Sequence, residues 1–204
     1  MSVIVAIKQE NVIFMGADSQ ITKGGTRRSY SNPSNYKIWR IKDAKNSLMG
    51  GVGLVREINI AKMEKYFNVL AQHNNDINFD YMVLEFVPHL FKTLKENNLI
   101  KKEDNEIPAS NCVYLVAYKS KLFQVGSDGA VIEIDDFAAI GSGSNEAMGS
   151  LLSSQTLSPK ERITMAIKAS AANDIYVDYP IIISNTNNDV FEVIYENEVI
   201  EKIK

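Results

Sequence analysis

The sequence predicts an α+β fold of four layers, a sandwich (αββα) with two stacked β-sheets inside and a helix pair outside each. Three observations carry this expectation. Stretches of strand character alternate with pairs of helical stretches, in the order strands, two helices, strands, two helices, strands. The strands are apolar on both sides, so a single sheet with helices on one face would leave the other face bare. No linker or low-complexity tract interrupts the 204 residues, so residues 1–204 are read as a single domain.

The elements follow in chain order. Val3 to Lys8 and Val12 to Ala17 read as strands joined by a hairpin-like Gln9-Glu10-Asn11. The polar stretch from Lys23-Gly24-Gly25-Thr26 through Pro33 to Asn35 is expected to be loop. Tyr36 to Ile41 alternates, which puts Lys37 on the face of Trp39 and Ile41, and Asn46 to Val52 is the next strand, running into Gly50-Gly51-Val52-Gly53. The period then changes. Met63, Tyr66, Phe67 and Leu70 recur at helical spacing, as do Val83, Phe86, Val87, Leu90, Phe91 and Leu94. His73 to Asp76 is expected to join these two helices, and Pro88 to kink or break the second. A charged loop from Lys101 to Glu106 precedes strands at Cys112 to Tyr118, Leu122 to Val125 and Val131 to Ile134. Phe137 to Ile140 leads through Gly141-Ser142-Gly143-Ser144 into a helix ending near Leu152. Ser158, Pro159 and Glu161 then mark a helix start, as N-cap, first position and capping-box partner. Pro180 to Ser184 and Val190 to Tyr195 are the last strands.

Composition excludes several function classes. With 22 Lys and Arg against 25 Asp and Glu, the net charge of −3 is not that of a dedicated nucleic-acid binder. No apolar run approaches the ~20 residues of a membrane span, and the first eight residues lack a basic signal-peptide start. The single cysteine, Cys112, can form neither an internal disulfide nor a CxxC metal pair, which points to a reducing, cytoplasmic setting. His73, in a polar turn, and His89, at a core edge, are the whole imidazole supply, so metal sites built on HExxH are excluded. If the protein is an enzyme, its base is expected to be another group.

Four features carry chemistry. Ser2 follows Met1, the context in which the initiator methionine is normally removed. Removal leaves a hydroxyl and an α-amine on one residue, and such an amine titrates near 7.7–8.0, so it can act as the base. Asp18, in Met15-Gly16-Ala17-Asp18-Ser19-Gln20, returns toward residue 2 if the first two strands pair; it also reads as an aspartate opening a turn. Lys37 points inward by alternation and then needs a partner, for which Asp18 is suited; it also reads as a lysine snorkelling from an edge strand. Gly50-Gly51-Val52-Gly53 offers backbone N–H groups to an oxyanion, and it lacks the lysine and Ser/Thr of a phosphate-binding loop.

Together with Ala139-Ile140-Gly141-Ser142-Gly143-Ser144 and Leu157-Ser158-Pro159-Lys160-Glu161, these segments resemble the proteasome β subunits and their bacterial relative HslV, in the family's order and over nearly the whole chain. The resemblance implies an N-terminal-nucleophile hydrolase of the αββα type, assembled as homo-oligomeric rings. It implies peptide or unfolded-protein substrates fed by an AAA+ unfoldase, with no cofactor needed for the chemistry. By position it makes Ser2 the nucleophile, Asp18 and Lys37 the salt-linked pair beside it, Gly51 the oxyanion donor, and Ser142 and Asp174 the residues that orient the amine. It puts extended substrate against the backbone of Ile21, Thr22 and Gly51, and Met49 in the pocket for the residue before the cut. Some relatives hold a structural sodium, potassium or magnesium ion at the backbone corresponding to Asn173 to Tyr179, which side chains do not reveal.

Two departures from the family stand out. Serine replaces the family's threonine, losing the methyl that restrains the side chain, and Val177 takes a position that is serine in proteasome β subunits. Two other readings stand beside the peptidase: a catalytically inactive ring subunit, and an amidase of the wider N-terminal-nucleophile group acting on a small molecule.

Overall fold

A computed structural model describes residues 2–100, 108–197 and 199–203; the loop expected over 101–106 lies outside the described residues. Two antiparallel sheets form the middle. One runs β10-β1-β2-β11-β12-β13, with β1 (Val3–Gln9), β2 (Val12–Ala17), β10 (Phe137–Gly141), β11 (Ile181–Asn185), β12 (Phe191–Ile194) and β13 (Ile200–Ile203). The other runs β5-β6-β7-β8-β9, with β5 (Ile38–Trp39), β6 (Ser47–Gly53), β7 (Cys112–Tyr118), β8 (Lys121–Val125) and β9 (Val131–Ile134). A separate hairpin pairs β3 (Gln20–Lys23) with β4 (Thr26–Ser29).

Strand alternation explains the layering. In β1, Ile4 and Ala6 face the second sheet and join Ile13, Met15, Ile38, Leu48 and Leu115 in the core between the sheets. Val3, Val5 and Ile7 face the other way, onto helices α5 (Ser144–Ser153) and α6 (Pro159–Asn173), where Leu151, Ile163 and Ile167 meet them. The second sheet turns Met49, Tyr114, Val116 and Phe123 outward onto α1 (Val55–Ala61), α2 (Val69–Asn74) and the helical run of α3 (Phe79–Tyr81), the turn Met82–Phe86 and α4 (Val87–Glu96). The αββα sandwich is therefore present, with both faces of the central strands covered and the edge strands β9 and β13 partly exposed.

The capping box on α6 is present in both directions, with Glu161 N–H donating to Ser158 Oγ and Ser158 N–H to the Glu161 carboxylate. Three elements depart from the expectation. The stretch expected as loop holds the β3–β4 hairpin: Gly24 (φ 56°) and Gly25 (φ 78°) form its two-residue turn, a conformation that costs glycine least. The first helix begins at Val55, before the predicted stripe, and the chain from Met63 to Phe67 is not helical; Tyr66 and Phe67 are buried from an irregular connection, while Met63 and Leu70 are exposed. The Asn68 side chain, accepting from Ala71 N–H at 2.7 Å, starts α2 instead. Pro88 marks a local break, as expected, without ending its helix. A wide π-type turn over Met82–Phe86 precedes it, where a proline's missing N–H and bulky ring disturb the ordinary spacing. The edge strand β13 adds a pairing with β12 that the sequence reading lacked.

Candidate active site

Three adjacent strands end at one edge of the six-stranded sheet. Val3 pairs with Gly141 and Ile4 with Ala17, so Ser2, Ser142 and Asp18 lie side by side, each one residue beyond its strand. Lys37 immediately precedes β5 and comes from the other sheet. All of Ser2 (5% exposed), Asp18 (0%) and Lys37 (7%) are buried.

Asp18 holds this edge together. Its Oδ1 accepts from Val3 N–H at 3.0 Å and from Lys37 Nζ at 2.8 Å. Its Oδ2 accepts from Gln20 N–H at 3.0 Å and from Lys37 Nζ at 2.7 Å. Four donors on two oxygens suit a carboxylate, since a protonated oxygen would have to give one up. Burial raises the Asp18 carboxyl above its ordinary value, and the lysine and the backbone donors pull it back. Burial lowers the Lys37 ammonium, opposed first by Asp18 and then, more weakly, by Asp174.

Ser142 closes the other side. Ser2 N–H donates to Ser142 Oγ at 3.1 Å, and Ser142 Oγ in turn donates to the Ser2 carbonyl at 3.4 Å. Gly143 N–H reaches the same carbonyl at 3.4 Å. Gly141 is what permits this approach: its φ is +105°, and a Cβ there would sit 2.1 Å from the Ser2 carbonyl oxygen. Gly141→Ala is expected to cost about 1–3 kcal/mol of stability through backbone strain, read as a lower urea midpoint with unchanged slope.

Asp174 caps the C-terminus of α6 and accepts from Tyr176 N–H at 2.9 Å through Oδ1, while its buried Oδ2 has no hydrogen-bond partner among the described residues. Gly51 N–H donates to the Lys37 carbonyl at 3.1 Å, so this amide takes part in the sheet ladder. The carbonyls of Asp174, Ile175 and Asp178 each accept one hydrogen bond. Among the described residues no group of three His, Cys, Asp or Glu could hold a metal.

A cleft opens from this edge. Ser2, Lys37, Gly51 and Gly53 line it together with Ile21 and Thr22 of β3, Asn35 and Tyr36, and the face of α1 that carries Val55, Ile58 and Asn59. Met49 is fully buried in the core beneath the helices and is not part of the cleft wall. Gln20, which the sequence reading passed over, lines the cleft; its Nε2 donates to Thr22 Oγ1 and to the Ile175 carbonyl, both at 2.9 Å. Its signal was the Asp18-x-Gln20 turn, in which an aspartate bonds the amide two residues on. Cys112 lies elsewhere, buried, with burial pushing its thiol up to about 12, so it is no nucleophile at neutral pH.

Two stacked antiparallel sheets between helix pairs, with a buried lysine–aspartate pair beside the first strand, form the αββα architecture of the N-terminal-nucleophile fold. The chain belongs to the proteasome subunit family, which it matches over residues 2–174. It is 26% identical over 179 residues to the ATP-dependent protease subunit HslV of Caldicellulosiruptor saccharolyticus, covering 86% of this chain and 92% of that protein. Two solved structures share the fold. BPH of Thiobacillus denitrificans in complex with epoxomicin superposes with a TM-score of 0.68 at 21% identity, over 90% of this chain and 97% of its own. HslV of Trypanosoma brucei gives 0.61 at 16%, over 90% and 98%. No helix among the described residues is long and apolar enough to cross a membrane.

Proposed function

We propose that this chain is a peptidase whose nucleophile is Ser2, unmasked by removal of Met1. The observation that carries the reading is the Asp18 carboxylate, which bonds the first amide of β1 and the Lys37 ammonium through the same oxygen, beside the residue that would react.

The chemistry follows from those groups. The free α-amine of Ser2 takes the proton from Oγ as Oγ bonds to the peptide carbonyl carbon, giving a tetrahedral oxyanion. Lys37, a fixed positive charge, disfavours a second cation beside it and keeps the amine in its basic form. Gly51 N–H, shared with the Lys37 carbonyl, is the proposed oxyanion donor. The oxyanion collapses as the C–N bond breaks, the ammonium returns its proton to the departing amine, and an ester remains on Ser2 Oγ. Water adds to that ester with the amine again as base, releasing the acid and restoring the hydroxyl. Ser142 Oγ, already bonded to Ser2 N, fixes the direction of the amine, and Asp174, with an unmet buried oxygen, supports it. An extended peptide would lie between β3 and β6, with Ile21, Thr22 and Gly51 offering backbone on either side.

A relative described as a subunit of an ATP-dependent protease supports a chain that works in an assembly and depends on an ATPase; the reading completes this as cytoplasmic rings that receive unfolded protein from an AAA+ ATPase. The test joins three measurements on the protein expressed in the cytoplasm. Intact mass is expected to show loss of one methionine, native mass many times the 22.8 kDa of one chain, and unfolded casein or fluorogenic peptides are expected to be cut. Retained Met1 with no hydrolysis would favour the inactive ring subunit, and a strict monomer would count against both ring readings.

A further inference from the structure

The far wall of the cleft carries a cation that the reaction does not use. Val55, Ile58, Asn59 and Lys62 fall at helical spacing i, i+3, i+4 and i+7, so one face of α1 and its C-terminal cap lines the cleft beyond Gly53. This stripe is apolar at its start and polar at its end. Two ammonium groups line the cleft, those of Lys37 and Lys62, and no carboxylate does among the described residues. The Lys37 charge is answered by Asp18 at 2.7 Å. The Lys62 charge is not. Its Nζ donates to the Ser34 carbonyl at 3.1 Å and lies 5.5 Å from the centre of the Trp39 ring. Both contacts attract a cation, and neither supplies a counter-charge. Burial alone pushes Lys62 down to about 8, so near pH 7 it remains mainly charged while short of solvation. An arriving carboxylate would restore what burial removed, and Asn59 adds an amide donor on the same face.

We propose that this cleft selects an acidic side chain, aspartate or glutamate, for the residue just before the cut, and that Lys62 sets the selectivity. The inference rests on the peptidase reading above, because it takes the cleft beside Ser2 as the pocket for that residue. The methylenes of the acidic side chain would lie along Val55 and Ile58, and its carboxylate would reach Asn59 and Lys62.

The test compares kcat/KM for peptides that differ only in glutamate, glutamine, leucine or lysine before the cut, using full-length protein freed of Met1. Glutamate is expected to exceed its isostere glutamine by roughly 10- to 100-fold, the range of a charge-assisted hydrogen bond. Lys62→Met should bring that ratio to about one, and Lys62→Glu should turn it below one and raise lysine relative to glutamate. A merely structural role for Lys62 would lower all four substrates together. Glutamate and glutamine cut equally by the native protein, or a ratio that survives Lys62→Met, would overturn the inference while leaving the peptidase standing. No cleavage of any of the four would overturn the peptidase reading and this selectivity with it.

Discussion

Ser2→Ala is expected to abolish peptide hydrolysis, by about 10⁴-fold or more, while the protein keeps its fold and assembly. In the proposed reaction no other hydroxyl substitutes. Ser142 Oγ is committed to the Ser2 backbone, and the Cys112 thiol is buried in a different layer. The β1 register depends on Val3–Gly141 and Ile4–Ala17 pairing rather than on the serine side chain, so stability should change by no more than about 1 kcal/mol. Steady-state hydrolysis, native mass and a urea midpoint measured together separate loss of chemistry from loss of structure. Activity near the native level in Ser2→Ala would dismiss the mechanism outright.

Lys37→Met is expected to remove activity and, unlike Ser2→Ala, to destabilise the protein by about 3–5 kcal/mol, because it strands the Asp18 carboxylate in the core. The pH dependence of that loss is diagnostic. With the ammonium gone, burial is left as the main influence on Asp18, and its folded-state value rises further above that of an ordinary carboxylate. A raised carboxyl is most stable where it is protonated, so stability of the variant is highest below the unfolded value and falls as pH rises through the folded one. Urea midpoints should therefore improve as the variant is taken to acid. The double variant Asp18→Asn, Lys37→Met should recover much of the stability and none of the activity. A single variant as stable as the native protein at pH 7 would mean that the pair is not the buried ion pair described here.

Much of the fold was legible because its signals are local. The Ser158–Glu161 capping box and the double apolar face of β1 need no tertiary information. The hairpin β3–β4 was hidden because Thr26 to Ser29 are all exposed and carry no alternation, and only the Gly24-Gly25 turn marks it. The stripe over Met63 to Leu70 misled because burial of Tyr66 and Phe67 from an irregular connection mimics a helical period, while two of the four residues face water. Lys62 stayed hidden for a related reason: a helix directly after Gly53 is legible, but the stripe was sought from Met63 onward, so the i+7 relation between Val55 and Lys62 was not drawn. At the site, Asp18 and Lys37 were legible as an inward lysine and the acid able to answer it. The resemblance puts Met49 in the pocket; alternation along β6 does give it the face of Gly51 and Gly53, but two residues further into the strand it is fully buried under the helices, while the two glycines line the cleft. That Gly51 N–H is held by the Lys37 carbonyl could not be read without the β5–β6 register.

The most direct measurement is covalent trapping by an α′,β′-epoxyketone such as epoxomicin, the compound found with BPH of Thiobacillus denitrificans, followed by intact mass and peptide mapping. Such a warhead needs a hydroxyl and a free amine on one residue. The account predicts a single adduct on an N-terminal Ser2, absent from Ser2→Ala and from any fraction retaining Met1. An adduct on another residue, or none on protein that demonstrably begins at Ser2 and cuts peptides, would contradict it.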